Sequence, residues 1–373
     1  MNRRDVLRIT GETIKLGLST WFDKDEIAAL VSETDPSKPR VSDEAVLFHA
    51  WQYLGGIAPA QIERSILEHR QQGEHITHDI LGEELIEDPT IPNHRQILEA
   101  RIRTTCDDYH RLINEISGYE EFLDTFSIKL SAFGILDHDN NLVVNDVLRN
   151  VFPLFSHAKS RNREGTIDAE RDLNRDRELE IIYSLHDMGC DNVGAVFQGT
   201  HDRSLYDARS FVKKIPFARG RIVKGAKYSG EKDAGRPDSE KTENVYDLAQ
   251  IFLENNGRLE VATHDVDLLK RILKLVNDYT TKSHMPMVEF QILQGVNNRY
   301  NHLLGRMINN IKNLNYIVRA YMPRVTLQPE EILPGTVIAY CRRRGNEPGF
   351  IGYGILNFPF LFKRAMLNPE QFW

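Results

Sequence analysis

Cysteine is scarce in this chain, with 3 among 373 residues. Cys106, Cys190 and Cys341 are scattered and odd in number, which fits reduced thiols and suggests neither a disulfide framework nor a metal cluster. No metal is expected. Long apolar runs are missing too: no stretch reaches the roughly 18 residues that a membrane-spanning helix requires. Basic excess is absent, since the net charge is -7, and this argues against a nucleic-acid surface as the main function. Internal repeats and low-complexity runs are lacking. No Gly-x-Gly-x-x-Gly fingerprint follows any candidate strand, which weighs against a doubly wound dinucleotide-binding sheet. Paired arginines stand near the start, in Met1-Asn2-Arg3-Arg4-Asp5, but no apolar h-region or small-residue cleavage site follows. The expected location is cytoplasmic.

What is present is ordinary in bulk and patterned in detail. Hydrophobic residues make 41% and charged residues 27% of the chain, a globular balance with length enough for one large barrel or two ordinary domains. The rhythm changes near residue 75. Before it, helical segments dominate: Asp35-Pro36-Ser37-Lys38-Pro39 breaks the chain, Ser42-Asp43-Glu44 opens a run through Trp51 and Tyr53, and Ala58-Pro59-Ala60 starts a helix ending near Gln72-Gly73. After it, short apolar or β-branched runs alternate with helical periodicity. The strand candidates are Ile76–Leu81, Ser127–Ala132, Thr166–Ala169, Gly194–Gln198, Gly220–Ala226, Leu259–Thr263, Met287–Leu293 and Tyr316–Met322. Helical stretches between them include Asn174–Met188, Asp267–Tyr279 and Asn301–Leu314. Strands alternating with helices mean parallel βαβ units, and their number points to an α/β fold closed as a (β/α)8 TIM-type barrel. The expected division is an N-terminal helical arm over residues 1–73, the barrel over 74–349 and a tail over 350–373.

Chemistry in such a barrel sits at the C-terminal strand ends. Asp79, Glu83, Lys129, Asp168, Glu170, Gln198, Lys224, Thr263, His264, Asp265, Gln291 and Tyr321 gather there. Any one of them fits a strand cap or a satisfied core pair; together they fit a binding mouth. Past the eighth strand comes Tyr340-Cys341-Arg342-Arg343-Arg344-Gly345-Asn346-Glu347. As a helix, this stretch sets Tyr340, Arg343, Arg344 and Glu347 on one face. Two guanidinium forks side by side repel unless an anion lies between them, and a small carboxylate suits that place. A solvated basic patch is the alternative.

Taken in order, these motifs resemble the catalytic barrel of the FAD-dependent proline dehydrogenase family. The resemblance runs from about Thr77 to Glu347 through Asp79-Ile80-Leu81-Gly82-Glu83, Ser127-Ile128-Lys129, Ile167-Asp168-Ala169-Glu170, Val196-Phe197-Gln198 and Arg221-Ile222-Val223-Lys224-Gly225-Ala226. It continues through Ala262-Thr263-His264-Asp265, Glu289-Phe290-Gln291-Ile292-Leu293 and Arg319-Ala320-Tyr321, and ends on Tyr-x-x-Arg-Arg-x-x-Glu. It implies FAD across the barrel mouth and hydride transfer from the carbon beside the substrate nitrogen to flavin N5, with L-proline to pyrroline-5-carboxylate as the leading reaction. Arg221 would donate to N5 and Gln198 would contact the isoalloxazine. Val223, Lys224, Gly225, Ala226, Thr263 and His264 would hold the rest of the cofactor. A donor near N5 stabilises the charge of a reduced flavin. Arg343, Arg344 and Lys129 would grip the substrate carboxylate, while Tyr321, Tyr340 and Leu293 wall its ring. Asp168 would hold Lys129 charged, and Glu83 would pair with Arg343 as a gate. Asp79 and Glu347 complete the implied substrate set, and Lys129, Asp168, Arg221, Arg343 and Arg344 the catalytic one. No catalytic base is evident.

Three departures bear on the substrate. The family pattern Lys-Gly-Ala-Tyr reads Lys224-Gly225-Ala226-Lys227 here, with Tyr228 next. Either Lys227 faces solvent or a phosphate while Tyr228 covers the flavin, or Lys227 reaches a substrate with a second anionic group or an acyclic one. The connection over residues 324–335 is longer than the family's turn, and Gln198-Gly199-Thr200 lacks the family's tyrosine. The alternatives are therefore the same C–N oxidation on a different amino acid or amine, or a non-catalytic flavin-binding homologue. Expected partners are a small amino-acid substrate and an electron acceptor, quinone or oxygen, with no nucleic acid. The aromatic tail Phe350–Phe362 would pack on the barrel or between subunits of a homo-oligomer, with membrane contact at most peripheral, at the inner membrane.

Overall fold

A computed structural model describes residues 59–80, 93–119, 122–225, 237–280, 288–293 and 316–324. Its strands are β1 (His75–Ile80), β2 (Thr125–Ile128), β3 (Gly165–Ile167), β4 (Val193–Gln198), β5 (Arg219–Val223), β6 (Arg258–Ala262), β7 (Val288–Leu293) and β8 (Tyr316–Arg324). Each pairs with its neighbour in sequence, and β8 returns to β1 in parallel through Ile76↔Ala320 and Thr77↔Tyr321, closing the barrel. Every residue of β4 is buried, as a strand covered by helices on one face and barrel interior on the other must be.

The described helices are α1 (Pro59–Gln71), α2 (His94–Ser117), α3 (Val144–Ser160), α4 (Arg175–Asp187), α5 (Ser204–Lys214), α6 (Asp238–Glu254) and α7 (Val266–Thr280). Their apolar stripes face the strands. In α3 that stripe is Val147, Val151, Leu154, Phe155 and Ala158, at helical spacing. α6 opens behind Pro237 with Asp238 and Glu240 in its first turn, where carboxylates favour the helix dipole. Phe197, Phe211 and Phe252 fill the layer between strands and helices, with ring centroids 5.3 to 6.4 Å apart. Two strand glycines let such rings seat on the backbone. A Cβ on Gly220 would lie 2.0 Å from Phe252, and one on Gly165 would lie 2.4 Å from Phe126.

The barrel interior is filled differently, by charge. Arg319, the largest fully buried side chain among the described residues, forks onto Glu289 at 2.6 and 2.9 Å and donates to the Ile76 carbonyl at 3.1 Å. Arg219 donates to Glu260 at 2.8 Å and to Thr166 at 3.0 Å. These pairs form an ionic floor across β5 to β8. Outside it, α1 is tied to the barrel: Ile66 packs with Ile76 and Met322, and Arg70 donates to Asp124 at 3.2 Å.

The strand boundaries differ from expectation in an informative way. The second strand stops at Ile128 instead of Ala132, because Leu130–Ala132 turns into a 3-10 helix that aims Ser131 at Glu170. The third stops at Ile167, two residues early. The fifth stops at Val223 instead of Ala226; Gly225 takes φ +94°, a conformation that ends a ladder and that favours glycine. The eighth runs further, to Arg324. Residues 1–58 of the expected arm, the stretch Asn301–Leu314 and the tail 350–373 lie outside the described residues.

Candidate active site

Parallel strands deliver all their C-terminal ends to one mouth, so side chains far apart in sequence meet there. Asp79, near the end of β1, is buried, and its Oδ2 accepts from Lys129 Nζ at 2.8 Å. Lys129 stands just beyond β2, and its distance to Asp168 is 3.6 Å. The resemblance gave Lys129 to Asp168; the geometry gives it first to Asp79.

Asp168 serves other donors. Its Oδ1 accepts from Arg221 Nη1 at 2.7 Å and from Ser127 Oγ at 3.1 Å, and its Oδ2 accepts from the Tyr321 hydroxyl at 2.8 Å. Arg221 also donates to Ser127 Oγ at 2.8 Å, and its Nε lies 3.4 Å from Glu260. Its guanidinium stands over the Tyr321 ring, 5.4 Å from the centroid. Burial, and then the charges of Asp168 and Asp79, push the Tyr321 phenol well above its ordinary value, so it remains a donor across the physiological range. Beneath, the Tyr109 hydroxyl from α2 accepts from the Ile80 amide at 3.1 Å and donates to the Ser127 carbonyl at 2.7 Å, locking β1 to β2.

The residues expected to hold a cofactor form the adjoining rim. Gln198 donates to the Ala169 carbonyl at 3.1 Å. The carbonyls of Val223 and Lys224 accept from the Gly199 and Thr200 amides at 2.8 and 3.0 Å, binding the loops after β4 and β5 to each other. A Cβ on Gly225 would fall 2.3 Å from Thr200 Oγ1 and 2.5 Å from Gln198 Oε1, so glycine alone keeps this rim closed. Lys224 is engaged by two carboxylates, Asp265 at 2.6 Å and Asp238 at 2.8 Å. Thr263 Oγ1 accepts from the Asp265 amide at 3.2 Å, and the Leu293 amide donates to His264 Nε2 at 3.3 Å. That last bond joins the loop after β6 to the end of β7.

The mouth thus brings together Asp79, Lys129, Asp168, Arg221, Gln198, Lys224, Gly225, Thr263, His264, Leu293 and Tyr321. Glu83, Ala226, Lys227, Tyr228, Tyr340, Arg343, Arg344 and Glu347 lie outside the described residues. Ser127, Glu260 and Tyr109 were not singled out by the sequence. Ser127 had a usable signal, since it precedes Lys129 by two residues on the same face of the expected strand. Tyr109 had none, as it sits on a helix whose pattern reads as core. A surface cleft of about 400 Å³ between α4 and α5, lined by Tyr183, Tyr206 and Lys214, lies on the outer helices and has no part in this cluster.

Comparison with known proteins agrees with the fold and adds a family. The model of the family described as proline dehydrogenase matches residues 62–349. Proline dehydrogenase 2 of Bacillus subtilis strain 168 is 27% identical over 256 residues, 63% of this chain and 77% of the relative. Proline utilization A from Bdellovibrio bacteriovorus, solved after inactivation by N-propargylglycine, superposes with a TM-score of 0.66 at 18% identity, over 87% of this chain and 34% of its own. A mutant of the Bradyrhizobium japonicum protein gives 0.55 at 16% identity, over 99% of this chain and 46% of its own. This chain spans less than half of either solved protein, and at these identities the likeness is one of fold. The family model covers most of the chain, and the chain belongs to the proline dehydrogenase family.

Proposed function

We propose that this chain oxidises the C–N bond of proline to pyrroline-5-carboxylate with FAD held at the barrel mouth. The observation that carries the reading is the Arg221 cluster. A buried guanidinium is fixed by Asp168, Ser127 and Glu260, while its Nη2 has no partner among the described residues. A rigid, unfulfilled donor at the mouth of a barrel suits an electron-accepting ring nitrogen or oxygen. Having no side chain, Gly225 adds a place for close cofactor approach. Bound there, the flavin supplies the hydride acceptor.

The chain's own work is positioning. Asp79 and Asp168 are both engaged by cations, so neither is free to serve as a base, and the amine's proton leaves to water. Lys129 and Arg221 are matched in charge by Asp79 and Asp168. Lys129 thus already has a carboxylate partner, and Arg343 and Arg344 would bring the further positive charge that grips the substrate carboxylate with it. Tyr321 and Leu293 wall the pocket. Electrons then pass to a quinone or to oxygen.

The test is anaerobic mixing of the FAD-loaded protein with proline, watching the flavin band near ~450 nm. Rapid bleaching is expected. A flavin that stays oxidised under saturating proline would move the assignment to another amino acid, with Lys227 as the first residue to vary.

A further inference from the structure

Two buried polar atoms at the mouth have no partner among the described residues, and the side chains that carry them share one carboxylate oxygen. Glu260 Oε2 accepts from Gln291 Nε2 at 2.9 Å and lies 3.4 Å from Arg221 Nε. Beyond these bonds, Arg221 Nη2 and Gln291 Oε1 are both unmet, although each side chain belongs to a residue only 3% exposed. The amide's orientation is forced by charge. Gln291 Nε2 stands between two carboxylates, Glu260 at 2.9 Å and Glu289 at 2.5 Å. Turning the amide over would set its carbonyl oxygen against both, so Oε1 must face away as a buried acceptor. Buried acceptors are rarely left unmet in a working state.

An unmet donor and an unmet acceptor on two side chains tied to one carboxylate oxygen suit a ligand edge with the opposite pattern. The pyrimidine edge of an oxidised isoalloxazine has one ring N–H, at N3, flanked by acceptor oxygens. The substrate's carboxylate is a poor candidate, because Glu260, Glu289 and Asp168 each contact one of the two side chains and repel an anion. A neutral ring edge meets no such repulsion.

We infer that Gln291 Oε1 accepts the N3–H of the bound flavin. This rests on the flavin reading given above. Gln291 is then a cofactor-binding residue, and Glu260 and Glu289 are positioning residues that hold its amide the right way round.

The test is equilibrium binding, followed by quenching of flavin fluorescence, of FAD and its N3-methylated analogue to the wild-type chain and to Gln291→Met. The wild type should bind the methylated analogue about ten-fold or more weakly, the loss expected for one hydrogen bond. In Gln291→Met that difference should fall below about threefold, as a coupling between the two changed atoms requires. Equal affinities in the wild type overturn the inference and leave Oε1 to a buried water. Discrimination that persists undiminished in Gln291→Met also overturns it, since another group would then meet N3–H. No binding of FAD itself by the wild type is the separate failure of the flavin reading. Thermal melting checks that the variant folds; Gln291→Asn, an amide one methylene short, replaces it if it does not.

Discussion

Arg221 and Asp168 close on each other at 2.7 Å inside the barrel mouth, and the same carboxylate takes the Tyr321 hydroxyl on its other oxygen. Asp168 is thus the hinge point of the cluster: it orders the Arg221 guanidinium and the Tyr321 phenol at once. Asp168→Ala should lower kcat/KM for proline about 100-fold, since removing a preorganised charge partner costs on the order of 3 kcal/mol of transition-state stabilisation. Tyr321→Phe, which deletes one hydrogen bond, should cost about ten-fold. Steady-state oxidation of proline with a dye acceptor, normalised to bound flavin, checks both. Losses under threefold for the two variants would remove Asp168 from the catalytic set.

The charge balance of the described mouth makes a second prediction. Because Lys129 is 2.8 Å from Asp79, its charge is committed before substrate arrives. Arg343→Ala and Arg344→Ala should each raise KM for proline by about 100-fold, the loss of a charge-assisted bond. Lys129→Ala should affect KM less, because it also releases Asp79. A larger KM effect at Lys129 than at either arginine would reverse this order.

Much of this site is legible in the amino-acid sequence. The period-2 pattern places Asp79, Lys129, Asp168, Arg221 and Tyr321 on strands or their ends, and parallel topology then guarantees a common mouth. Pairing is not legible. Whether Lys129 meets Asp79 or Asp168 depends on barrel stagger, which local sequence does not encode. Glu260 illustrates the same limit, since Leu259-Glu260-Val261 reads as a strand with one polar position and says nothing of two arginines two residues apart on β5. The early ends of β2 and β5 depend on a 3-10 turn and on the positive φ of Gly225, both set by contacts from other loops.

The ionic floor allows a stability prediction. Arg319 and Glu289 are both buried, and burial by itself would lower the Arg319 pKa and raise that of Glu289. Their mutual charge reverses both directions. Breaking such a pair leaves one charge uncompensated. Arg319→Met should therefore destabilise the barrel by about 3–5 kcal/mol. Arg319→Met combined with Glu289→Gln should cost less than the single change, because no charge is stranded. Urea midpoints for wild type, single and double variants decide it, and simple additivity would count against the pair being coupled.

Asp124 should make stability depend on acid. Its carboxylate accepts from the Ile76 amide at 2.8 Å and from Arg70 at 3.2 Å, with His78 Nε2 3.7 Å away. Burial by itself would raise this carboxyl; His78, the Ile76 amide and the Arg319 charge outweigh it and hold it at about 2, against an ordinary 3.8. A folded-state value below the unfolded one means that the unfolded chain binds the proton more readily in acid. The stabilisation is thus fully present above about pH 4–5 and is lost as pH falls through the folded value near 2. At ~1.4 kcal/mol per unit of depression it amounts to about 2 kcal/mol. Wild type should exceed Asp124→Asn by about that much in unfolding free energy at pH 6, and the gap should shrink steadily from pH 4 toward pH 2. A gap that stays constant across that range would mean that Asp124 acts only through the geometry of its hydrogen bonds, which asparagine cannot fully copy, and not through its charge.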